Sequence, residues 1–219
     1  ITINGNGNTL EFLSANTNQR ATIKFDGTDY VTVNDLIIKA LGVDATTGNY
    51  GSGVQLMNGA DFNTFDGCTI EIEIAATSST EFGGFVASSS ATSLTSATTS
   101  NANNLLLDNC TIVGGYYGIV INGATDPATA QNNTIQNCIV RDFYLDGIRM
   151  NNTENALVLG NDISRAVRTS VTTFNGIQLI GRNSNTQVRN NRIHNNSDNG
   201  TTTSTTYGIY SNSTTVDAS

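Results

Sequence analysis

The sequence has no tryptophan, one proline, one histidine and three cysteines among its 219 residues. Lysine and arginine total only 10 against 18 acidic residues, so the formal net charge is −8. A surface that follows a phosphate backbone needs clustered basic residues, and we therefore expect no nucleic-acid partner. The sequence contains no run of 18 apolar residues, so we expect no membrane-spanning helix.

Charged residues are also scarce, at 13% of the chain, which is about half the average for globular domains. Asn, Thr, Ser and 21 glycines supply the polarity instead. These residue types favour turns over the polar faces of helices. The chain opens on "ITINGNGNTL", without Met or a signal-peptide pattern, and we expect it to be a segment of a longer protein.

The three cysteines all lie in one local context. They occur in "TFDGCTIEI", "LLDNCTIVG" and "TIQNCIVRD", which share the pattern apolar-x-[Asn/Gly]-Cys-x-apolar. The frame continues without cysteine in "VLGNDI" and "VRNNRI", where Asn161 and Asn191 take the cysteine position. This recurrence predicts a repeat protein.

A second motif alternates with the first. It is glycine followed by an apolar residue, any residue and usually another apolar one, and it begins at Gly53, Gly84, Gly118, Gly147, Gly176 and Gly208. Its spacing of about 30 residues, without a convincing helical period, favours a parallel β-helix over a propeller. We predict an all-β, right-handed parallel β-helix of about six to seven coils, uncapped at both ends.

In such a fold, residues at one frame position stack in neighbouring coils. We therefore predict an inward-facing structural ladder that contains Cys68, Cys110, Cys138, Asn161 and Asn191. A metal site is the first alternative, but the sequence offers no CxxC and no histidine partner. A disulfide between neighbouring coils is the second, although side chains in register point the same way.

We interpret residues 1–219 as a single β-helix segment. Two polar stretches, 88–104 and 195–206, are predicted to leave the coils as surface loops. Further coils or another domain of the same protein are expected to continue the stack, because open sheet edges favour aggregation.

The stretches "ITINGNGNTL", "ADFNTFDGCTI", "YYGIVINGATD" and "YGIYSNSTT" resemble those of right-handed parallel β-helix repeat proteins. Their residue mix looks like that of large secreted surface proteins of Bacteroidetes, which are commonly exported by the type IX secretion route. The resemblance implies an extracellular or outer-surface location. Many β-helix proteins are enzymes that act on glycans, so the resemblance also makes such an activity one function to consider.

Enzymatic chemistry requires converging side chains, and no catalytic or metal-ligand set stands out here. Asp66 and Asp108 share a frame position, so their stacked carboxylates could hold calcium or contact a ligand, or could simply be solvated. Arg141 and Arg149 form the richest charged patch with Asp142 and Asp146. Tyr144 is an aromatic candidate beside that patch, for stacking on a sugar or for packing at a corner.

The outward positions of the glycine motif predict a flat, mixed stripe made of Gln55, Val86, Val120, Arg149, Gln178 and Tyr210. We favour a non-catalytic extracellular scaffold or adhesin-type segment that contacts glycans and carries no cofactor. One alternative is a polysaccharide lyase or glycoside hydrolase of the β-helix class. The other is a self-associating fibre segment that stacks end to end.

Overall fold

The computed structural model describes residues 1–99 and 101–214. Over these residues the chain winds through seven coils, and each coil contributes one strand to each of three parallel sheets. The described residues contain no helix. The predicted all-β solenoid is therefore confirmed.

The first two sheets consist of short strands, and the third consists of longer ones. The first sheet contains Thr2–Asn4, Thr32–Asn34, Thr64–Asp66, Leu106–Asp108, Thr134–Gln136, Leu157–Leu159 and Gln187–Arg189. The second contains Thr9–Phe12, Ile37–Ala40, Thr69–Glu71, Thr111–Val113, Ile139–Arg141, Asp162–Ser164 and Arg192–His194. The third contains Ala21–Asp26, Gly51–Met57, Phe82–Ala87, Tyr117–Asn122, Asp146–Glu154, Phe174–Ser184 and Thr206–Ser213, with Ala130–Gln131 pairing beside it.

The register of the first sheet agrees with the frame in the sequence. Asp66 pairs with Asn34 on one side and with Asp108 on the other. Asp108 then pairs with Gln136 in the next coil. The repeat predicts this register because one face of each strand carries apolar residues, and a one-residue slip would expose them.

The cysteine motif is two strands and not one. It runs from a strand of the first sheet to a strand of the second, around a single residue with positive φ. That corner residue is Asp35, Gly67, Asn109, Asn137, Gly160 or Asn190 in successive coils. Glycine, asparagine and aspartate tolerate this left-handed conformation better than other residues, which explains why the position before the cysteine is restricted to them.

The core runs along the axis of the solenoid. Val33, Phe65, Leu107, Ile135 and Val158 from the first sheet are fully buried. Ile38, Ile70, Ile112, Val140 and Ile163 from the second sheet face them. Apolar side chains of the inner coils thus rest on their equivalents above and below, so each of these coils depends on its neighbours for burial.

The glycines of the second motif lie in the third sheet where it faces the second. A Cβ on Gly147 would lie 2.6 Å from the carbonyl oxygen of Gly176 and 2.8 Å from Ile163 Cγ2. The glycine column therefore allows the third sheet to approach the second closely. Gly208, in the last coil, has the same frame position, but there the nearest atom to a Cβ is 4.0 Å away.

We expect Gly147→Ala to lower the free energy of unfolding by about 2 kcal/mol, because the methyl group has no space and the backbone must shift. Gly208→Ala is the matched control and should change stability by less than about 0.5 kcal/mol. Urea unfolding followed by circular dichroism compares the two variants. Equal effects would contradict a role for this close approach.

The segment 88–104, without residue 100, lies along the outer face of the third sheet. Leu94 packs against Val86, Tyr117 and Val120, and it is only 3% exposed. Asn101 is fully buried and donates to the carbonyl oxygen of Asn122. A stretch this polar is expected to stay exposed. It is partly buried because its backbone and amide groups find hydrogen-bond partners on the sheet.

The segment 195–206 connects the last strand of the second sheet to the last strand of the third. No helix among the described residues is long and apolar enough to cross a membrane.

Candidate functional site

The inward corner column holds the cysteines and two asparagines. The thiols of Cys68, Cys110 and Cys138 contact the carbonyl oxygens of Val33, Phe65 and Leu107 in the preceding coils, at 3.4, 3.4 and 3.7 Å. Asn161 and Asn191 donate to the equivalent carbonyls of Ile135 and Val158, at 3.1 and 2.9 Å. Thiol and amide therefore occupy one position and contact the same backbone group.

The three thiols are free and buried. The neighbouring thiol of Cys110, together with burial, raises the pKa of Cys68 well above its usual range. The thiol of Cys138 and burial likewise raise the pKa of Cys110. Thiols with a raised pKa are poor nucleophiles and poor metal ligands, and Cys68 and Cys110 pack here as small buried side chains.

Asp66 and Asp108 lie side by side on the outer face of the first sheet. Gln136 and Asn137 donate to the two carboxylate oxygens of Asp108, both at 2.9 Å, and Asn109 donates to Asp66 at 3.3 Å. Amides from the following coil thus engage both carboxylate oxygens of Asp108 and Oδ1 of Asp66. Among the described residues, no group of three or more His, Cys, Asp or Glu side chains is placed to hold a metal ion.

Arg141 lies at the end of the second sheet and pairs with the buried Asp142, with Nη1 and Oδ2 3.2 Å apart. Asp142 also accepts from the backbone N–H of Val167 at 2.8 Å. This pair therefore fixes the corner that follows the strand. Arg141 ends a strand of the second sheet, whereas Asp66 and Asp108 lie in the first.

Tyr144 stands at the same corner, over two arginines that the sequence does not mark as buried. The guanidinium of Arg168 lies 4.6 Å from the centre of the Tyr144 ring. Arg165 donates to the carbonyl oxygen of Tyr144 at 2.7 Å. Burial lowers the pKa of each arginine to about 10, and in Arg168 the nearby Arg165 charge adds to the effect. Both still carry a positive charge at neutral pH.

Arg149 belongs to a different cluster, on the outer face of the third sheet. Its Nη1 lies 3.1 Å from Oδ2 of Asp146, a carboxylate with no exposed surface. Asn175 donates to the other oxygen of Asp146 at 2.7 Å, and Arg149 donates to Gln178 at 2.5 Å. Burial raises the pKa of Asp146, against the hydrogen bonds and charge of its partners.

Aromatic rings border this cluster. The Arg149 guanidinium lies 5.5 Å from the centre of the Tyr117 ring, and Tyr116 contacts both Tyr117 and Tyr144 with centroid distances of 4.7 and 5.2 Å. Burial raises the pKa of Tyr117 to about 12 and also raises that of Tyr116. Tyr116 and Tyr144 remain partly exposed.

The predicted flat stripe of outward residues is not continuous. Gln55, Val86 and Val120 lie under the segment 88–99 and are 4%, 0% and 0% exposed. Gln55 donates to the carbonyl oxygen of Ser90 at 2.8 Å, and Leu94 covers the two valines. The half of the stripe that contains Arg149, Gln178 and Tyr210 remains accessible. The prediction was wrong for the first half because the covering segment returns to its own sheet.

His194, the one histidine, lies at the end of the second sheet. Its Nε2 is 2.8 Å from Oδ1 of Asp162, and Arg192 lies 3.1 Å from the other oxygen of that carboxylate. Hydrogen bonds to Asn195 and Asp162 raise the pKa of His194. These side chains form a surface ion-pair network.

The chain is thus a parallel β-helix, and the outer face of its third sheet carries the polar cluster around Asp146 together with neighbouring tyrosines. The family model of the right-handed beta helix region matches residues 72–219, and the chain belongs to this family. The match confirms the predicted handedness. No curated protein sequence matches the chain significantly.

Among solved structures, the chain is similar to the Dettilon tailspike protein (gp208). The identity is 11%, the TM-score is 0.48, and the alignment covers 89% of this chain. It spans 38% of the length of the tailspike chain.

The sequence marks Arg149, Tyr144 and the outward Gln178 and Tyr210 as candidates, but it does not mark Asn175. Nothing in the local sequence "TFNGIQL" separates Asn175 from the many other asparagines. Its role becomes visible only through its pairing with Asp146 in the coil before.

Proposed function

We propose that the chain is a non-catalytic, extracellular β-helix scaffold that binds glycans on the outer face of its third sheet. The observation that carries this proposal is the cluster in which Asp146 orders Arg149 and Asn175 beside the partly exposed ring of Tyr116. Planar polar groups next to an aromatic ring suit a sugar, which has both hydroxyl groups and an apolar face.

An extracellular location fits a polar chain with few charges whose three thiols are all buried. We further propose that it comes from a large secreted surface protein of Bacteroidetes exported by the type IX route. The resemblance of the repeat segments to such proteins supports this origin.

The proposal is tested by binding the full chain to an array of plant, algal and bacterial glycans. We expect at least one class to bind, and Tyr116→Ala to weaken that binding about tenfold, because a stacking ring is lost. Tyr30→Ala is the matched control, since Tyr30 is an exposed tyrosine that lies outside the third sheet, just before the strand Thr32–Asn34 of the first sheet. A wild-type chain that binds no glycan, or equal losses in both variants, would refute the proposal.

A second candidate, a glycan hydrolase or lyase, is favoured by Asp146 alone. A carboxyl group whose pKa is raised by burial is a common general acid. Release of reducing ends or unsaturated products from the bound glycan, with loss of that release in Asp146→Asn, would establish this function in place of the scaffold.

A further inference from the structure

Two parallel rows of side chains run along the outer face of the third sheet, and Arg149, Gln178, Tyr207 and Tyr210 are the members that remain accessible. The first row holds Tyr117, Asp146, Asn175 and Tyr207, and the second holds Val120, Arg149, Gln178 and Tyr210. We call these eight residues the axial strip, because each row runs from coil to coil along the helix axis. At one end, Leu94 of the segment 88–99 covers Val120 and packs on Tyr117.

Aromatic rings stand at both ends of the axial strip. At the covered end, Tyr116 packs on Tyr117 and stays partly exposed. At the other end, Tyr207 and Tyr210 stack on each other with ring centroids 5.0 Å apart, and Tyr207 is 42% exposed. Tyr117 and Tyr207 are three coils apart, which is about 14 Å at the usual strand spacing. A single sugar ring is too short to reach both ends.

The middle of the axial strip is polar but electrically neutral. The carboxylate of Asp146 balances the guanidinium of Arg149, and the neutral amides of Asn175 and Gln178 complete the cluster. The chain as a whole has a net charge of −8 and would repel a polyanion. The strip therefore offers no uncompensated positive charge to an acidic polysaccharide.

The hydrogen-bonding capacity of this middle part is not used up within the described chain. Arg149 Nε and Asn175 Oδ1 are buried and have no hydrogen-bond partner among the described residues. One is a donor and the other an acceptor. Both atoms lie beneath the surface, so the partly exposed side chains of Arg149 and Gln178 are the polar groups that a sugar hydroxyl can reach.

We infer that the axial strip binds a linear, neutral oligosaccharide that lies along the helix axis and contacts aromatic rings at both ends. This inference rests on the proposed glycan-binding function and adds the charge, the length and the direction of the ligand. Tyr116 stacks on one end of the ligand, and Tyr207 and Tyr210 stack on the other. The polar middle binds the hydroxyl groups between them.

Isothermal titration calorimetry of the full chain tests the inference. The neutral probes are the disaccharides and hexasaccharides of the cello-, manno- and xylo-series, and the acidic probe is hexagalacturonate. We expect a neutral hexasaccharide to bind at least tenfold more tightly than its disaccharide and than hexagalacturonate. Tyr210→Ala should weaken hexasaccharide binding about tenfold and leave disaccharide binding at the Tyr116 end unchanged.

Tyr30→Ala again serves as the control, and circular dichroism verifies that both variants are folded. Three results would overturn the inference while leaving the proposed function intact. They are equal affinities for disaccharide and hexasaccharide, tighter binding of hexagalacturonate, and hexasaccharide binding that is unchanged in folded Tyr210→Ala. Failure of every glycan on the array to bind would instead refute the proposed function and the inference together.

Discussion

Arg168→Ala is expected to lower the free energy of unfolding by about 4 kcal/mol. The side chain is 1% exposed. Its guanidinium donates to the carbonyl oxygens of Ser170 at 2.6 Å and of Asp142 at 3.3 Å, and also to those of Ile74 and Ala76. Removing it leaves four carbonyl groups without this donor and opens a cavity beneath Tyr144.

These contacts also mean that the destabilisation by Arg168→Ala is not confined to the corner at Tyr144. Ile74 and Ala76 precede Arg168 by 94 and 92 residues, so the arginine joins segments of coils that are not consecutive. Arg168→Lys retains the charge but presents a single ammonium group in place of a planar fork, and it should lose more than half of the stabilisation.

Urea unfolding measured by circular dichroism compares these variants with Arg189→Ala. Arg189 is exposed on the outer face of the first sheet, so its loss should change stability by less than about 0.5 kcal/mol. A loss below about 1 kcal/mol for Arg168→Ala would show that water replaces the guanidinium at little cost.

Asn161→Ala is expected to lower the free energy of unfolding by about 3 kcal/mol. Asn161 is 1% exposed, and its side chain accepts from the backbone N–H of Cys138 at 2.9 Å. It donates to the carbonyl oxygen of Ile135 at 3.1 Å and to Oδ1 of Asn191 at 2.9 Å. Truncation leaves a buried donor and a buried acceptor of the backbone unpaired, each of which costs about 1–3 kcal/mol.

Two further variants show whether the hydrogen bonds or only the volume matter. Asn161→Cys extends the thiol column by one coil, and its thiol can still contact the carbonyl oxygen of Ile135. It provides only a weak acceptor for the backbone N–H of Cys138, so the stability of this variant should lie between those of the wild type and Asn161→Ala. Asn191→Ala removes the next amide, which is partly exposed, and should cost less than Asn161→Ala. Thermal unfolding measures all three variants, and an Asn161→Cys variant as unstable as Asn161→Ala would show that the acceptor decides.

The repeat in the sequence predicted the solenoid and the register of its first two sheets. It did so because a stacked coil must place an apolar residue, a corner residue and a small inward residue at the same frame positions each time. The shared frame position of Asp66 and Asp108 is therefore enough to predict them as neighbours. The sequence did not predict that the cysteine motif forms two strands. A single residue with positive φ separates these strands, and its identity alone does not show that the chain turns there.

The contacts of the segment 88–99 and of Arg165 and Arg168 could not be predicted from periodicity. Leu94 is one apolar residue in a polar stretch, and its partners lie on the outer face of a sheet where polar residues are expected. The acceptors of Arg168 are main-chain carbonyls, which leave no trace in the sequence. Only the path of the chain brings these groups together.

The order of residues is enough to specify a parallel β-helix, the side chains that face its axis and the ones that stack on each other. The packing of the folded chain, in contrast, selects which outward residues are covered, such as Val120, and which remain accessible, such as Gln178 and Tyr210. Coil stacking repeats every 30 residues or so and is therefore visible as periodicity. Burial on the outer face depends on single contacts between segments that do not repeat.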